Sequence, residues 1–100
     1  MVILRFKVHS KPQKSDELIT VLAEIIRAAR ATEGVVNFDI ARTLDDPDSF
    51  IATAVYDNGV ALERQESIPE VHRAMTIFPE SLVAPPERTI FDASINPILV

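Results

Sequence analysis

The run from Glu33 to Glu63 constrains the fold more than any other part of the chain. Glu33-Gly34 supplies a turn. Val36, Phe38 and Ile40 then alternate with Asn37, Asp39 and Ala41, which predicts a strand over 35–43. Leu44-Asp45-Asp46-Pro47-Asp48-Ser49 reads as a turn, because proline fixes its own φ and Asp side chains bond nearby backbone N–H groups. Residues 49–56 predict a second strand, apolar on both faces and so central and covered. A connection this short makes the two strands an antiparallel hairpin. Asn58-Gly59 either closes another tight turn or starts a helix. The helix formers of 60–65 favour the second option, with Asn58 as N-cap.

The flanks complete the pattern. Val2, Leu4, Phe6 and Val8 alternate with Ile3, Arg5, Lys7 and His9, the signature of a half-polar strand. Ser15 is a candidate N-cap for a helix whose apolar positions are Leu18, Val21, Leu22, Ile25, Ile26 and Ala29. Gly34 is the natural left-handed residue after it. Further on, Ser67-Ile68-Pro69-Glu70 has the form of a capping box. Val71, Met75, Phe78 and Leu82 follow as an apolar stripe, with a break expected at Pro79. Residues 88–95 predict a last strand, and the apolar tail 96–100 is expected to pack against something, such as a partner subunit. The order β-α-β-β-α-β predicts an α+β, ferredoxin-like fold: a four-stranded antiparallel sheet with helices on one face. At 100 residues the chain reads as a single domain spanning 1–100. The sheet's free face is not very polar, so pairing two sheets across a two-fold axis would bury it.

Composition narrows function by exclusion. A net charge of −5 with no basic run argues against nucleic acid and against an anionic membrane surface. The absence of cysteine removes disulfides, thiolate metal ligands and thiol nucleophiles. The two histidines lack ligand spacing, so no metal site is expected, and Asp45, Asp46 and Asp48 lack the glycine and closing glutamate of a calcium loop. Met1-Val2-Ile3-Leu4-Arg5 is unlike a secretory leader and no apolar run has the length of a membrane span, so the expected location is the cytoplasm.

Taken in order, several short motifs resemble the antibiotic biosynthesis monooxygenase family of small dimeric α+β barrel proteins. They are Arg5-Phe6-Lys7-Val8, Pro12 and Lys14, Glu33-Gly34, Phe38-Asp39, Leu44 to Phe50, Tyr56, Ala61-Leu62-Glu63 and Pro69. The resemblance implies a homodimer with a pocket between sheet and helices in each subunit. It implies a cofactor-independent monooxygenase acting on a quinol or a polycyclic aromatic. This chain departs from the family at three places. In the aligned Pro-His-Phe element it has Pro69-Glu70-Val71, with His72 two positions beyond the family's place. Tyr56 stands where members commonly carry Trp, and Gln65 where they commonly carry His. With no Trp, and with Arg5 where the haem-degrading branch has Asn, haem oxygenation is disfavoured. The departures motivate an alternative from another class: a non-catalytic, dimeric small-molecule-binding or accessory protein. A related barrel enzyme catalysing isomerisation or decarboxylation is a third option.

Cofactor-free oxygenation needs a base, groups that stabilise an anion, and exclusion of water. His72 is either that base or a partly exposed helix histidine. Tyr56 either donates its hydroxyl to a substrate oxygen as a second catalytic group or is an amphipathic core residue. Arg5 either binds an anionic substrate oxygen or pairs with Asp39 or Asp92. Asn37 either binds a ligand carbonyl or satisfies a neighbouring loop. His9 reads as a surface residue. The catalytic reading requires Arg5, Asn37, Tyr56 and His72 to converge on one cavity.

Overall fold

Period-two alternation in this chain becomes four strands, and the helical stripes become three helices laid on one face of them. The computed structural model describes residues 1–93. The strands are β1 (Val2–His9), β2 (Val35–Arg42), β3 (Ser49–Tyr56) and β4 (Glu87–Asp92); the helices are α1 (Ser15–Arg30), α2 (Gly59–Glu66) and α3 (Pro69–Ser81). All pairings are antiparallel, in the order β2-β3-β1-β4. The result is a ferredoxin-like α+β fold. The apolar tail at 96–100, and the end of the strand expected over 88–95, lie outside the described residues.

Register decides which residues meet the helices. Leu4 lies opposite Ala54 and Ile90, Phe6 opposite Ala52 and Arg88, and Val8 opposite Phe50. On the other side of β3, Phe38 faces Ala54 and Ile40 faces Ala52. Leu18, Leu22, Ile25 and Ala29 of α1 close over this surface and are buried. Small alanines in the middle of the sheet, beneath larger phenylalanines, leave space above them. The opposite face carries Arg5, Thr53 and Thr89 in one cross-strand row and, among the described residues, has no helix over it.

Four local expectations are corrected. A β-bulge between Val35 and Asn37 shifts the phase of β2, so Val35 packs against the core while Val36 is exposed. Ser15 is the first helical residue rather than a cap: a single 3₁₀ turn at Pro12–Lys14 precedes it, and its Oγ donates to Asp48 Oδ1 at 2.7 Å. The capping box does not form, because the Ser67 hydroxyl donates to the Glu63 carbonyl at 2.7 Å and Ile68 holds the cap position of α3. The α3 helix also continues through Pro79 to Ser81. Proline removes one i→i−4 bond there, and the carbonyl it would have used belongs to Met75, an exposed residue that water can serve.

Other details follow the local chemistry closely. Asn58 Oδ1 accepts the Ala61 N–H at 3.0 Å and caps α2. Asp46 Oδ1 accepts the Asp48 N–H at 3.0 Å in the acidic turn. Gly34 has φ of +85°, and a Cβ there would stand 2.6 Å from Ala61 Cβ. The chain therefore needs glycine at this point both to turn and to let α2 approach β2. Among the described residues, no helix is long and apolar enough to cross a membrane.

Candidate functional site

The space above the sheet alanines is a cavity of about 310 Å³ between the sheet and the helices. Its floor includes Leu4, Phe6 and Ala52, and its roof includes Leu22 and Ile25 of α1 with Ala74 and Phe78 of α3. Phe6 and Phe78 stack across it with ring centroids 6.2 Å apart. Met75 and Arg88 are lining residues that are also exposed, so the mouth lies between α3 and β4.

Only three lining residues carry strongly polar side chains: Gln65, Glu66 and Arg88. Arg88 grips Glu66 with two hydrogen bonds, Nη2 to Oε1 at 2.7 Å and Nε to Oε2 at 3.1 Å. The planar fork of guanidinium suits this bidentate arrangement. Gln65 lies deeper, 3% exposed. Its Oε1 accepts the Tyr56 hydroxyl at 2.5 Å. Tyr56 is fully buried, and burial, with the Glu66 charge adding to it, pushes its phenol well above the ordinary 10.0. At neutral pH it is a donor, not a base.

The four residues expected to converge are placed on three separate surfaces. Arg5 and Asn37 lie on the helix-free face of the sheet, both exposed and pointing away from the cavity. Asp39, one expected partner of Arg5, instead takes Arg30 and Asn37, each at 2.9 Å. His72 lies on the outer side of α3, exposed, one residue after the cavity-lining Val71. Tyr56 alone reaches the cavity, and it does so through Gln65. Sequence reasoning noticed Gln65 only as a replacement; its position on α2, next to a buried tyrosine, gives it a structural partner.

His9 lies at the surface as expected, but it is tethered there. Its Nδ1 lies 2.7 Å from Ser49 Oγ and 3.0 Å from Asp46 Oδ2, while Ser49 Oγ donates to Asp46 Oδ2 at 2.8 Å. The three residue types suggest a hydrolytic triad, but the geometry is wrong for one. One ring nitrogen faces both partners, and the serine hydroxyl already donates its proton to a hydrogen bond with the carboxylate. This cluster ties the acidic turn to the end of β1. Among the described residues, no group of three His, Cys, Asp or Glu side chains gathers closely enough to hold a metal ion.

Fold and site together define a small α+β protein with an apolar cavity beneath its helices, open at a mouth between α3 and β4. The profile of the family "Antibiotic biosynthesis monooxygenase" matches residues 1–76, and the chain belongs to this family. No curated protein matches it. Among solved structures, it is similar to a candidate antibiotic biosynthesis monooxygenase from Deinococcus radiodurans, with 21% identity and a TM-score of 0.89, over 100% of this chain and 99% of that one. It is similar to Rv0793 from Mycobacterium tuberculosis, with 19% identity and a TM-score of 0.87, over 95% and 96% of the two chains. A protein from Bacteroides thetaiotaomicron described as a possible oxidoreductase has 17% identity and a TM-score of 0.80, over 90% and 94%. At these identities the structural likeness concerns the fold.

Proposed function

We propose that this chain binds a small aromatic molecule in the cavity above Ala52 and oxygenates it without a cofactor, the substrate being a quinol or a polycyclic aromatic. The observation that carries the reading is the cavity itself, an apolar space of about 310 Å³ with one buried amide in its wall. That volume sits at the lower end of the range for small-molecule sites, roughly 300–1,000 Å³. Membership of a monooxygenase family supplies the reaction class. For a quinol the balanced step is C₆H₆O₂ + O₂ → C₆H₄O₃ + H₂O, a ring carbon gaining the oxygen and the quinol supplying the electrons. For a polycyclic substrate with a CH₂ acidified by flanking rings, it is R₂CH₂ + O₂ → R₂CO + H₂O. A base takes a proton, the carbanion adds to dioxygen to form a peroxide, and loss of the second proton with O–O cleavage releases water.

His72 faces away from the cavity, so it does not serve as the base in this reading. Glu66 is the carboxylate that reaches the cavity, and Arg88 beside it offers a cation to the developing oxyanion. Oxygen uptake with a panel of quinols and anthrones tests this, with buffer alone as the control for autoxidation. Wild-type protein is expected to exceed the control, and Glu66→Gln to reduce the excess by about a hundredfold or more, the low end of the roughly 10²–10⁴-fold that a positioned acid–base group contributes. No uptake above buffer with any substrate rejects the reaction and favours the second reading, a non-catalytic ligand-binding protein. The specific observation in that reading's favour is that the cavity's carboxylate is already engaged by Arg88.

The same reading makes the protein a cytoplasmic homodimer. The helix-free sheet face carries half-buried Ile3, Ile51 and Val55 beside Phe91, which is 50% exposed. Packing two such faces together would build the dimeric barrel. A monomeric mass in solution at micromolar concentration would count against it.

A further inference from the structure

The direction of one buried amide determines which ligand chemistry the cavity selects, an inference that rests on the cavity being the ligand site. The Tyr56 hydroxyl has Gln65 Oε1 as its partner and no other among the described residues. Were the amide turned round, the phenolic proton would be buried without an acceptor, which costs far more than the bond is worth in water. Tyr56 therefore holds the carbonyl end of Gln65 toward itself and leaves the NH₂ end on the other side. That nitrogen makes no hydrogen bond among the described residues, yet no sealed side-chain polar atom is left unpaired. It is therefore not sealed, and it belongs to a residue that lines the cavity.

A carboxamide nitrogen only donates. The lining around it is apolar, and the two charges at the mouth neutralise each other. A charged ligand would lose its water there with no counter-charge to gain. The volume is about twice the roughly 150 Å³ that accommodates one benzene ring. We propose that Gln65 is a specificity-determining residue that donates a hydrogen bond to the carbonyl oxygen of a neutral one- or two-ring ligand, with Tyr56 as the positioning residue that fixes the direction of that donor.

The test compares α-tetralone with tetralin, which share a bicyclic frame and differ in one carbonyl, by NMR titration of the isotope-labelled full chain. Wild type is expected to bind α-tetralone about tenfold more tightly than tetralin, the effect of one net hydrogen bond. The double variant Tyr56→Phe/Gln65→Leu removes both polar partners together and so avoids leaving either unpaired. It is expected to lose the preference and bind both probes about equally. Tyr56→Phe alone frees the amide to turn, so the preference for α-tetralone shrinks and α-tetralol, which can donate, gains. Equal binding of both probes to wild type overturns the Gln65 assignment and leaves the cavity a ligand site. An unchanged preference in Tyr56→Phe overturns the positioning role. If neither probe shifts any cavity resonance, the cavity reading is overturned and this inference with it.

Discussion

The two ends of the β2–β3 hairpin are closed by opposite kinds of chemistry. At the acidic turn, Asp46 gathers the Asp48 N–H, the Ser49 hydroxyl and the His9 ring, with Asp46 and His9 open to water and Ser49 buried beneath them. At the far end, Val35 pairs with Tyr56, Gly34 turns beneath α2, and the Tyr56 hydroxyl reaches a buried amide. The charged end is the surface device: water reaches the Asp46 carboxylate and the His9 ring. The nearly uncharged end is the demanding one, because a buried group that loses its partner finds no substitute. Density of charge in the sequence therefore marks the turn, while the cavity and its one oriented amide sit where the sequence shows a lone Tyr and a lone Gln.

The largest effect that can test this contrast is expected from Gly34→Ala. The residue would have to hold φ of +85° and place its Cβ 2.6 Å from Ala61 Cβ. Strain and overpacking together should cost about 2–4 kcal/mol in urea unfolding. Ala61→Gly in the same chain should return part of that loss by removing the opposing carbon. A Gly34→Ala protein as stable as wild type would show that α2 does not press on this turn as described.

Next comes Tyr56→Phe, which leaves Gln65 Oε1 buried without its donor and should cost about 1–3 kcal/mol. The same phenol gives an alkaline signature. Its folded pKa is raised above 10.0, so its contribution is complete below pH 10 and is lost as pH rises toward the folded value. The chain has one tyrosine, so phenolate absorbance reports this group alone. It should stay silent through pH 10 and rise only with unfolding. A reversible titration near pH 10 with the fold intact would mean that the hydroxyl is open to water.

Much of the fold was legible because alternation and helical spacing are local. The hairpin, the Asn58 cap and the turn at Gly34 all follow from residues within a few positions of each other. The misses come from competition that the local pattern does not contain. Val36 fits the alternation, but the bulge turns Val35 inward. Ser67 has a nearer acceptor in the Glu63 carbonyl than the cap it was expected to make. For the site, alternation itself separates Arg5 from Leu4 and Phe6, and Asn37 from Phe38, so those two belonged on the helix-free face from the start. On α3 the phase runs one residue away from the apolar stripe: Ala74 is buried and Met75 is 60% exposed, which carries His72 outward. Gln65 was hidden because nothing local marks a polar residue that will be buried against a tyrosine nine positions away.

The smallest effect is expected at the charged end, from Asp46→Asn. The Asp48 N–H, then the Ser49 hydroxyl and more weakly the His9 ring, hold the Asp46 carboxyl below its ordinary 3.8. A depressed pKa stabilises the fold above the unfolded value and loses that contribution as pH falls through the folded one. The amide keeps an acceptor for the Asp48 N–H but not the charge. Wild type should therefore exceed Asp46→Asn slightly in stability at neutral pH, and the gap should close below pH 3.8. The gap between wild type and Tyr56→Phe should stay constant over the same acid range, because the phenol remains protonated throughout it. If acid closed both gaps together, the two ends of the hairpin would be electrostatically coupled through the sheet, and the division between a surface device and a buried joint would fail.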